Sequence, residues 1–160
     1  MVPRMLNKVL LFCLLTFISL FSYSANIVIN PITGFSDNTA TSAIGGNPGL
    51  TLGVQRLNTF QKAADILETF LNIKIDIKVD AAFSGLACSS GSAILGSAGA
   101  TGGTWNFPNA PIANTIYPIA LANNLANSDT NSITAEISAT FNASMDNNAN
   151  CLNGVNWYYG

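Results

Sequence analysis

Apolar and polar residues alternate strictly along two segments of the chain. In residues 73–83, Ile, Val, Ala and Phe side chains alternate with Lys and Asp, and in residues 133–141 Ile, Ala and Phe alternate with Thr, Glu and Ser. A period of two places the apolar side chains of a strand on one face and the polar ones on the other. The pattern therefore predicts two β-strands, each with one buried and one solvent-facing side.

A helical period occupies residues 52–71. Its apolar side chains recur at spacings of three and four, and Thr51 stands where an N-cap residue is expected. The members of this stripe are Leu57, Phe60, Ala64, Leu67 and Leu71. We predict one long helix here, and a shorter helix over residues 114–125, with Pro118 in its first turn, where proline is tolerated.

The remaining segments carry weaker signals. Residues 26–30 predict a short strand that ends at Pro31, and residues 31–53 predict a loop. Residues 93–97 predict a short strand within a glycine-rich stretch, and Asn153-Gly154 predicts a turn. Together the elements predict an α/β or α+β fold, with a mixed twisted sheet, one long helix and one short helix.

The first residues have the features of an export signal. Arg4 and Lys8 precede a largely apolar run over residues 9–21, and Ser22 and Ser24 supply small residues at the −3 and −1 positions of a cleavage site after Ser24. The run is shorter than the roughly 20 apolar residues that a membrane-spanning helix needs. We therefore expect a signal peptide over residues 1–24 and one domain over residues 25–160, secreted or periplasmic and free of the membrane after cleavage.

The composition narrows the classes of partner. Only 9% of the residues are charged, the formal net charge is −2, and two of the six basic residues lie in the leader. Because no basic patch remains to contact phosphates, we expect no binding to nucleic acid. Apolar residues make up 49% of the chain, which indicates a folded domain rather than a disordered tail.

Two cysteines, Cys88 and Cys151, lie outside the leader. In an oxidising compartment an isolated pair predicts a disulfide, which would stabilise the fold by roughly 4 kcal/mol for a loop of this length. The alternative is a nucleophilic thiol, but the chain contains no histidine to activate one.

Candidates for catalysis are few. Ser89, Ser90 and Ser92 cluster near Cys88 but have no histidine or suitably spaced lysine as a base. The glycines of residues 91–97 have the spacing of a phosphate-binding loop without its lysine. These residues are more simply explained as a turn beside a short strand.

Carboxylates offer two further candidates. Asp65 and Glu68 are close enough on the predicted helix to act as acid and base, although a solvated face with Lys62 explains them more simply. Calcium could use Asp129 with Asn131, or Asp146 with Asn147, but neither pair has the ligand number of a calcium loop. The sequence therefore predicts no catalytic residue and no metal ligand in this chain.

Several motifs follow one another in an order that resembles a known family. They are Gly46-Asn47-Pro48-Gly49, Thr51-Leu52-Gly53, Gln55-Arg56-Leu57, Ala63-Ala64-Asp65-Ile66-Leu67, Cys88, residues 93–99, Phe107-Pro108-Asn109-Ala110-Pro111, residues 114–118 and 120–123, Ala139-Thr140-Phe141-Asn142 and Trp157-Tyr158-Tyr159-Gly160. This succession resembles the N-terminal part of bacterial secreted zinc metallopeptidase-like proteins, whose members often carry a protease-associated domain. The resemblance covers nearly all of residues 25–160.

The resemblance implies a zincin-type fold, with a His-Glu-x-x-His helix following the Tyr-Tyr-Gly stretch and holding zinc. This chain stops before such a helix, so the resemblance transfers no catalytic or metal residue. We expect an exported scaffold fragment of a zinc-dependent peptidase-like protein, inactive as given, with zinc only in full-length relatives. The alternative is a stand-alone secreted binding or surface protein. In the complete fold, a free strand edge would bind extended peptide or protein substrate, but the sequence does not identify the strand.

Overall fold

A computed structural model describes residues 25–130 and 135–160. Its strands are β1 (Ile27–Thr33), β2 (Ile77–Ser84), β3 (Gly96–Ala100), β4 (Gly103–Thr104), β5 (Tyr117–Pro118) and β6 (Ile137–Asn142). Its helices are α1 (Leu52–Glu68) and α2 (Ile119–Ala126), and short 3₁₀ turns follow at Ala143–Met145 and Leu152–Gly154. The predicted mixed sheet with one long and one short helix is confirmed. The predicted signal peptide lies outside the described residues.

The main sheet has the strand order β1-β2-β6-β3. Strands β1, β2 and β6 are parallel, and β3 pairs antiparallel with β6. Strands β4 and β5 form a separate two-stranded ladder that contacts α2. The sheet thus has two edge strands, β1 on one side and β3 on the other.

The helix α1 covers one face of this sheet. Thr51 caps its N-terminus by accepting a hydrogen bond from Val54 N, as its sequence position predicts. Ala64 on α1 packs with Ile27, Val79 and Ala139 from the three parallel strands. Because these strand residues alternate with polar ones, the same alternation that predicts the strands supplies the core.

A second core cluster is aromatic and lies nearer the carboxyl ends of the strands. Phe60 on α1 makes edge contacts with Phe83 on β2 and Phe141 on β6, with ring centroids 5.9 and 5.4 Å apart. Tyr159 packs on Phe83, and Trp157 packs on Phe141. Aromatic pairs of this kind each add about 0.5–1.5 kcal/mol beyond the area they bury. The C-terminal segment is therefore part of the core.

Several predicted boundaries are wrong. Strand β1 continues through Pro31 to Thr33, which is possible because an edge strand tolerates proline, and the register shifts between Pro31 and Thr33. Helix α1 ends at Glu68 because the Thr69 hydroxyl and N–H both bind the Ile66 carbonyl. Strand β2 begins at Ile77 rather than residue 73, since Lys74 N donates to the Asn124 side chain instead of a neighbouring strand.

Other differences concern the second half of the chain. Strand β3 begins three residues later than predicted, and Ala93 forms just an isolated bridge with Cys88. The short helix begins at Ile119 because Tyr117 and Pro118 pair with β4. Strand β6 begins at Ile137, and residues 133–134 of the predicted strand lie outside the described residues. The predicted turn at Asn153-Gly154 is confirmed, with Asn153 in the left-handed conformation at φ 54°.

In the described part of the chain, no helix has the length and apolar character needed to cross a bilayer.

Candidate functional site

A cavity of about 650 Å³ opens at the carboxyl ends of the parallel strands. Residues that follow the parallel strands line this cavity. Gly34 comes directly after β1, Gly85 directly after β2, and Asp146 lies in the segment after β6. Leu52 and Arg56 on the first turns of α1 complete the lining, together with Asp37. Ligands of parallel sheets commonly bind at this end of the strands, so the polar groups that line this cavity are candidates for a functional site.

Arg56 is the centre of this cluster, and its side chain is 3% exposed. Its Nη1 donates to Gly34 O at 2.7 Å and to Asp37 Oδ2 at 3.2 Å. Its Nη2 donates to Asp146 Oδ2 at 2.7 Å, and the Tyr159 hydroxyl donates to the same oxygen at 2.8 Å. The guanidinium also lies over the Phe83 ring, 4.9 Å from its centroid. We call Arg56, Asp37, Asp146 and Tyr159 the Arg56 cluster.

The pKa shifts of Asp37, Arg56 and Tyr159 keep these three groups in their usual protonation states. Hydrogen bonds from the Thr39 side chain and N–H, and then the charge of Arg56, lower the pKa of Asp37. Burial alone would lower the pKa of Arg56, but its hydrogen bond to Asp146 reverses the effect and raises it. Burial raises the pKa of the Tyr159 phenol far above its ordinary value. None of these shifts prepares a general acid or base for neutral pH.

The Arg56 cluster is therefore structural in its chemistry. The first backbone N–H groups of α1 do not face the cavity as free donors, since Leu52 N binds Thr39 O and Gly53 N binds Asp37 O. Among the described residues, the one buried side-chain donor without a partner is Arg56 Nε, which is inaccessible to solvent. Two carboxylates and one guanidinium leave a local charge of −1, which disfavours an anion. The cluster ties the loop after β1, helix α1 and the segment after β6 together.

The outer side of β3 has a different character. All five residues of β3 are exposed, and its sequence is Gly-Ser-Ala-Gly-Ala. At the two ends of its ladder with β6, Asn142 N donates to Leu95 O and Thr101 N donates to Glu136 O. These bonds show which residues of β3 form hydrogen-bonded pairs with β6, because every second pair of an antiparallel ladder is hydrogen-bonded. Residues 97 and 99 therefore bond to β6, whereas Gly96, Ala98 and Ala100 point their N–H and C=O groups away from it.

These outward backbone groups have no hydrogen-bond partner among residues 25–130 and 135–160. We call this row of groups on Gly96, Ala98 and Ala100 the β3 edge. It contains no charged residue, no proline and no register shift, which are the features that usually block an edge from pairing with another chain. The opposite edge strand, β1, has both Pro31 and a register shift. The β3 edge is therefore the better acceptor for an added strand.

The predicted disulfide is confirmed, and it anchors the loop that precedes β3. Cys88 and Cys151 are bonded, with their Cα atoms 5.3 Å apart. Next to the bond, Leu152 N donates to Ser89 O at 2.8 Å. The link joins the loop before β3 to the segment after β6, so both strands of this ladder are anchored at the same end.

The other sequence candidates are not assembled into a site. Ser89 Oγ donates to Ser92 O, and Ser92 N donates back to Ser89 Oγ, which closes a local turn. Glu68 accepts a hydrogen bond from Ile27 N, while Asp65 accepts one from Gln61. Asp146 belongs to the Arg56 cluster, and the neighbouring Asn147 lines the cavity. Asn131, the predicted partner of Asp129, lies outside the described residues.

Zinc, which the family resemblance implies for full-length relatives, does not fit the residues of this chain. There is no histidine in the sequence. Within the described ranges no three His, Cys, Asp or Glu side chains lie close enough to hold a metal ion, and Cys88 and Cys151 are consumed by the disulfide. We therefore derive no chemical step through a metal.

Comparison with known proteins does not assign the chain to a family. No protein-family model, no curated protein and no solved structure matches it.

Proposed function

We propose that the chain is the exported scaffold of a zinc-dependent, zincin-type peptidase-like protein, and that it binds extended peptide at the β3 edge. Its own residues carry out no catalysis in this proposal. They hold the sheet and present an edge to which a peptide adds as a further strand. The observation that carries the proposal is the unpaired, uncharged row of backbone groups on Gly96, Ala98 and Ala100.

Strand addition suits this edge for physical reasons. A peptide that pairs with β3 gains main-chain hydrogen bonds to three residues whose groups already point outward, so little of the protein needs to reorganise. The small side chains of β3 leave both faces beside the edge open. Because β3 is fixed to β6 and anchored through the disulfide, the edge is held in place before the peptide arrives.

The peptidase part of the proposal is supported by the motif resemblance alone. The second candidate, a stand-alone secreted binding or surface protein, is favoured by the Arg56 cluster, whose hydrogen bonds and ion pairs hold separate parts of the fold together. Both candidates use the same edge. If the purified chain hydrolysed casein and a chelator abolished that hydrolysis, both candidates would be contradicted.

The test is a binding titration with a fluorescent peptide of alternating Val and Thr, about seven residues long to match a strand. We expect Ala98→Pro to weaken binding at least about tenfold, because proline removes the central outward N–H and its ring occupies the pairing position. The matched control Ala98→Ser keeps the N–H and should bind like the unchanged protein.

Stability must be measured alongside. Because the Ala98 N–H does not bond to β6, the proline variant should unfold within about 1 kcal/mol of the unchanged protein in urea. Unchanged peptide affinity in a folded Ala98→Pro variant would contradict the proposal, as would the absence of any binding by the unchanged protein.

A further inference from the structure

The side chains of β3 fall on two different faces of the sheet. Gly96, Ala98 and Ala100 stand opposite Phe141, Ala139 and Ile137, and these β6 residues all lie on the face covered by α1. Ser97 and Gly99 stand opposite Thr140 and Ser138 on the other, polar face. A strand added to the β3 edge must follow the same alternation, because directly opposed residues of paired strands share a face.

One position on the helix-covered face, Gly96, carries no side chain. A Cβ atom on Gly96 would lie 2.6 Å from Thr140 O, so no side chain fits there without a shift of the backbone. The same Cβ would lie 3.4 Å from Cδ1 of Phe141, so the ring of Phe141 lies directly beside Gly96. Phe141 is half-buried, which leaves part of the ring available to a ligand.

The ring also belongs to an apolar groove. Phe60, Phe83, Phe141 and Trp157 line a volume of about 270 Å³ between α1 and the C-terminal segment. Of the strand residues in this groove, Phe141 is nearer to β3, because β6 is the strand that pairs with it. A long side chain that crosses over Gly96 therefore meets the rim of the groove at Phe141.

We propose that the β3 edge selects extended peptides with a large apolar, preferably aromatic, residue opposite Gly96. An aromatic side chain on a neighbouring strand can pack over the backbone of an edge glycine, and here it would gain a ring contact with Phe141. The residue before it lies opposite Ser97 on the other face, so a polar residue suits that position. The ligand is an extended peptide of alternating apolar and polar residues. This inference rests on the proposed peptide-binding function.

The experiment compares four peptides on the unchanged protein by fluorescence titration. The reference is acetyl-Thr-Val-Thr-Val-Thr-Phe-Thr-amide, which in the antiparallel direction places Phe opposite Gly96. Two others carry Ala or Asp in place of Phe, and the fourth exchanges Phe with the preceding Thr, which moves the ring to the polar face. We expect the reference to bind about tenfold more tightly than the Ala and exchanged peptides, and the Asp peptide to bind most weakly.

A protein variant locates the preference. Phe141→Leu should reduce the ratio of Phe-peptide to Ala-peptide affinity to about twofold, since the aromatic pair is lost while the groove stays apolar. Phe35→Leu is the matched control, because Phe35 packs in the same aromatic cluster against Phe60 and Phe83, where it does not face β3. That control should keep the tenfold ratio.

The outcomes separate the two proposals. Equal affinity for all four peptides would leave strand addition intact and overturn the preference opposite Gly96. A Phe preference that survives Phe141→Leu would also overturn it. If none of the peptides binds, the proposed function itself is contradicted.

Discussion

The Arg56 cluster and the β3 edge lie in the same small domain but treat their polar groups in opposite ways. In the cluster, a guanidinium that is 3% exposed has partners on two aspartates and a carbonyl, so almost every buried polar atom is satisfied. At the β3 edge, backbone donors and acceptors of three residues have no partner among the described residues. Satisfied buried groups stabilise a fold, whereas unpaired exposed groups are available to a ligand. The contrast suggests that stability and binding can be changed independently in this protein.

The largest effect should come from breaking the Arg56 cluster. Asp146→Ala leaves the buried guanidinium and the Tyr159 hydroxyl without their shared acceptor, and we expect unfolding free energy to fall by roughly 3–5 kcal/mol in urea denaturation. The double variant Arg56→Met with Asp146→Leu should recover part of this loss, because it removes both charges. Peptide affinity of the folded Asp146→Ala fraction should stay unchanged. A loss below about 1 kcal/mol would mean that the cluster does not hold the fold together.

Removing the disulfide tests the link between the loop before β3 and the segment after β6. Cys88→Ser with Cys151→Ser should lower the unfolding free energy by roughly 2–4 kcal/mol, since the unfolded chain regains the freedom of a long loop. Because β3 remains hydrogen-bonded to β6, peptide affinity should change by less than about threefold. Thiol titration of the exported protein should find both cysteines oxidised, and two free thiols would contradict the assignment.

Acid should weaken the stability that the Arg56 cluster provides and should leave peptide affinity at the β3 edge unchanged. The expected loss of stability is smaller than in the two preceding predictions. The folded pKa of Asp37 lies below its ordinary value of 3.8, so this carboxylate contributes stability above that pH. The contribution is lost as the pH falls from about 4 through the lowered folded pKa. Below pH 4 we expect the free energy of unfolding in urea to fall with pH. In the Asp37→Asn variant this fall should be shallower. The β3 edge contains no titratable group, so peptide affinity should stay level while the protein remains folded. A parallel decline in affinity would contradict the separation of the two regions.

The sequence predicts the two central strands of the sheet better than it predicts the Arg56 cluster or the β3 edge. The alternation through Val79 and Phe83, and through Ile137 and Phe141, identifies the two central strands because one face of each is buried. The Gly-Ser-Ala-Gly-Ala sequence of β3 has no β-branched or aromatic residue, so its strand conformation comes from pairing with β6 rather than from local preference. Its position at an edge depends on the tertiary structure.

The Arg56 cluster was missed for a related reason. Arg56 stands four residues after Leu52 and four before Phe60, on the apolar stripe of the helix, and a charge in that position is a signal for a buried partner. Its partners Asp37 and Asp146 are 19 and 90 residues away along the chain. No local pattern connects residues so distant, and the sequence offers eight carboxylates to choose from.

The most direct test of the account is amide hydrogen exchange resolved by residue across β3, read by NMR with and without the Phe-containing peptide. Without peptide, the N–H groups of Gly96, Ala98 and Ala100 should exchange at least about tenfold faster than those of Ser97 and Gly99, which bond to β6. With peptide, the fast positions should slow and the alternation should vanish. Equal protection along β3 in the free protein, or fast positions that the peptide leaves unchanged, would contradict the claim that this edge accepts a strand.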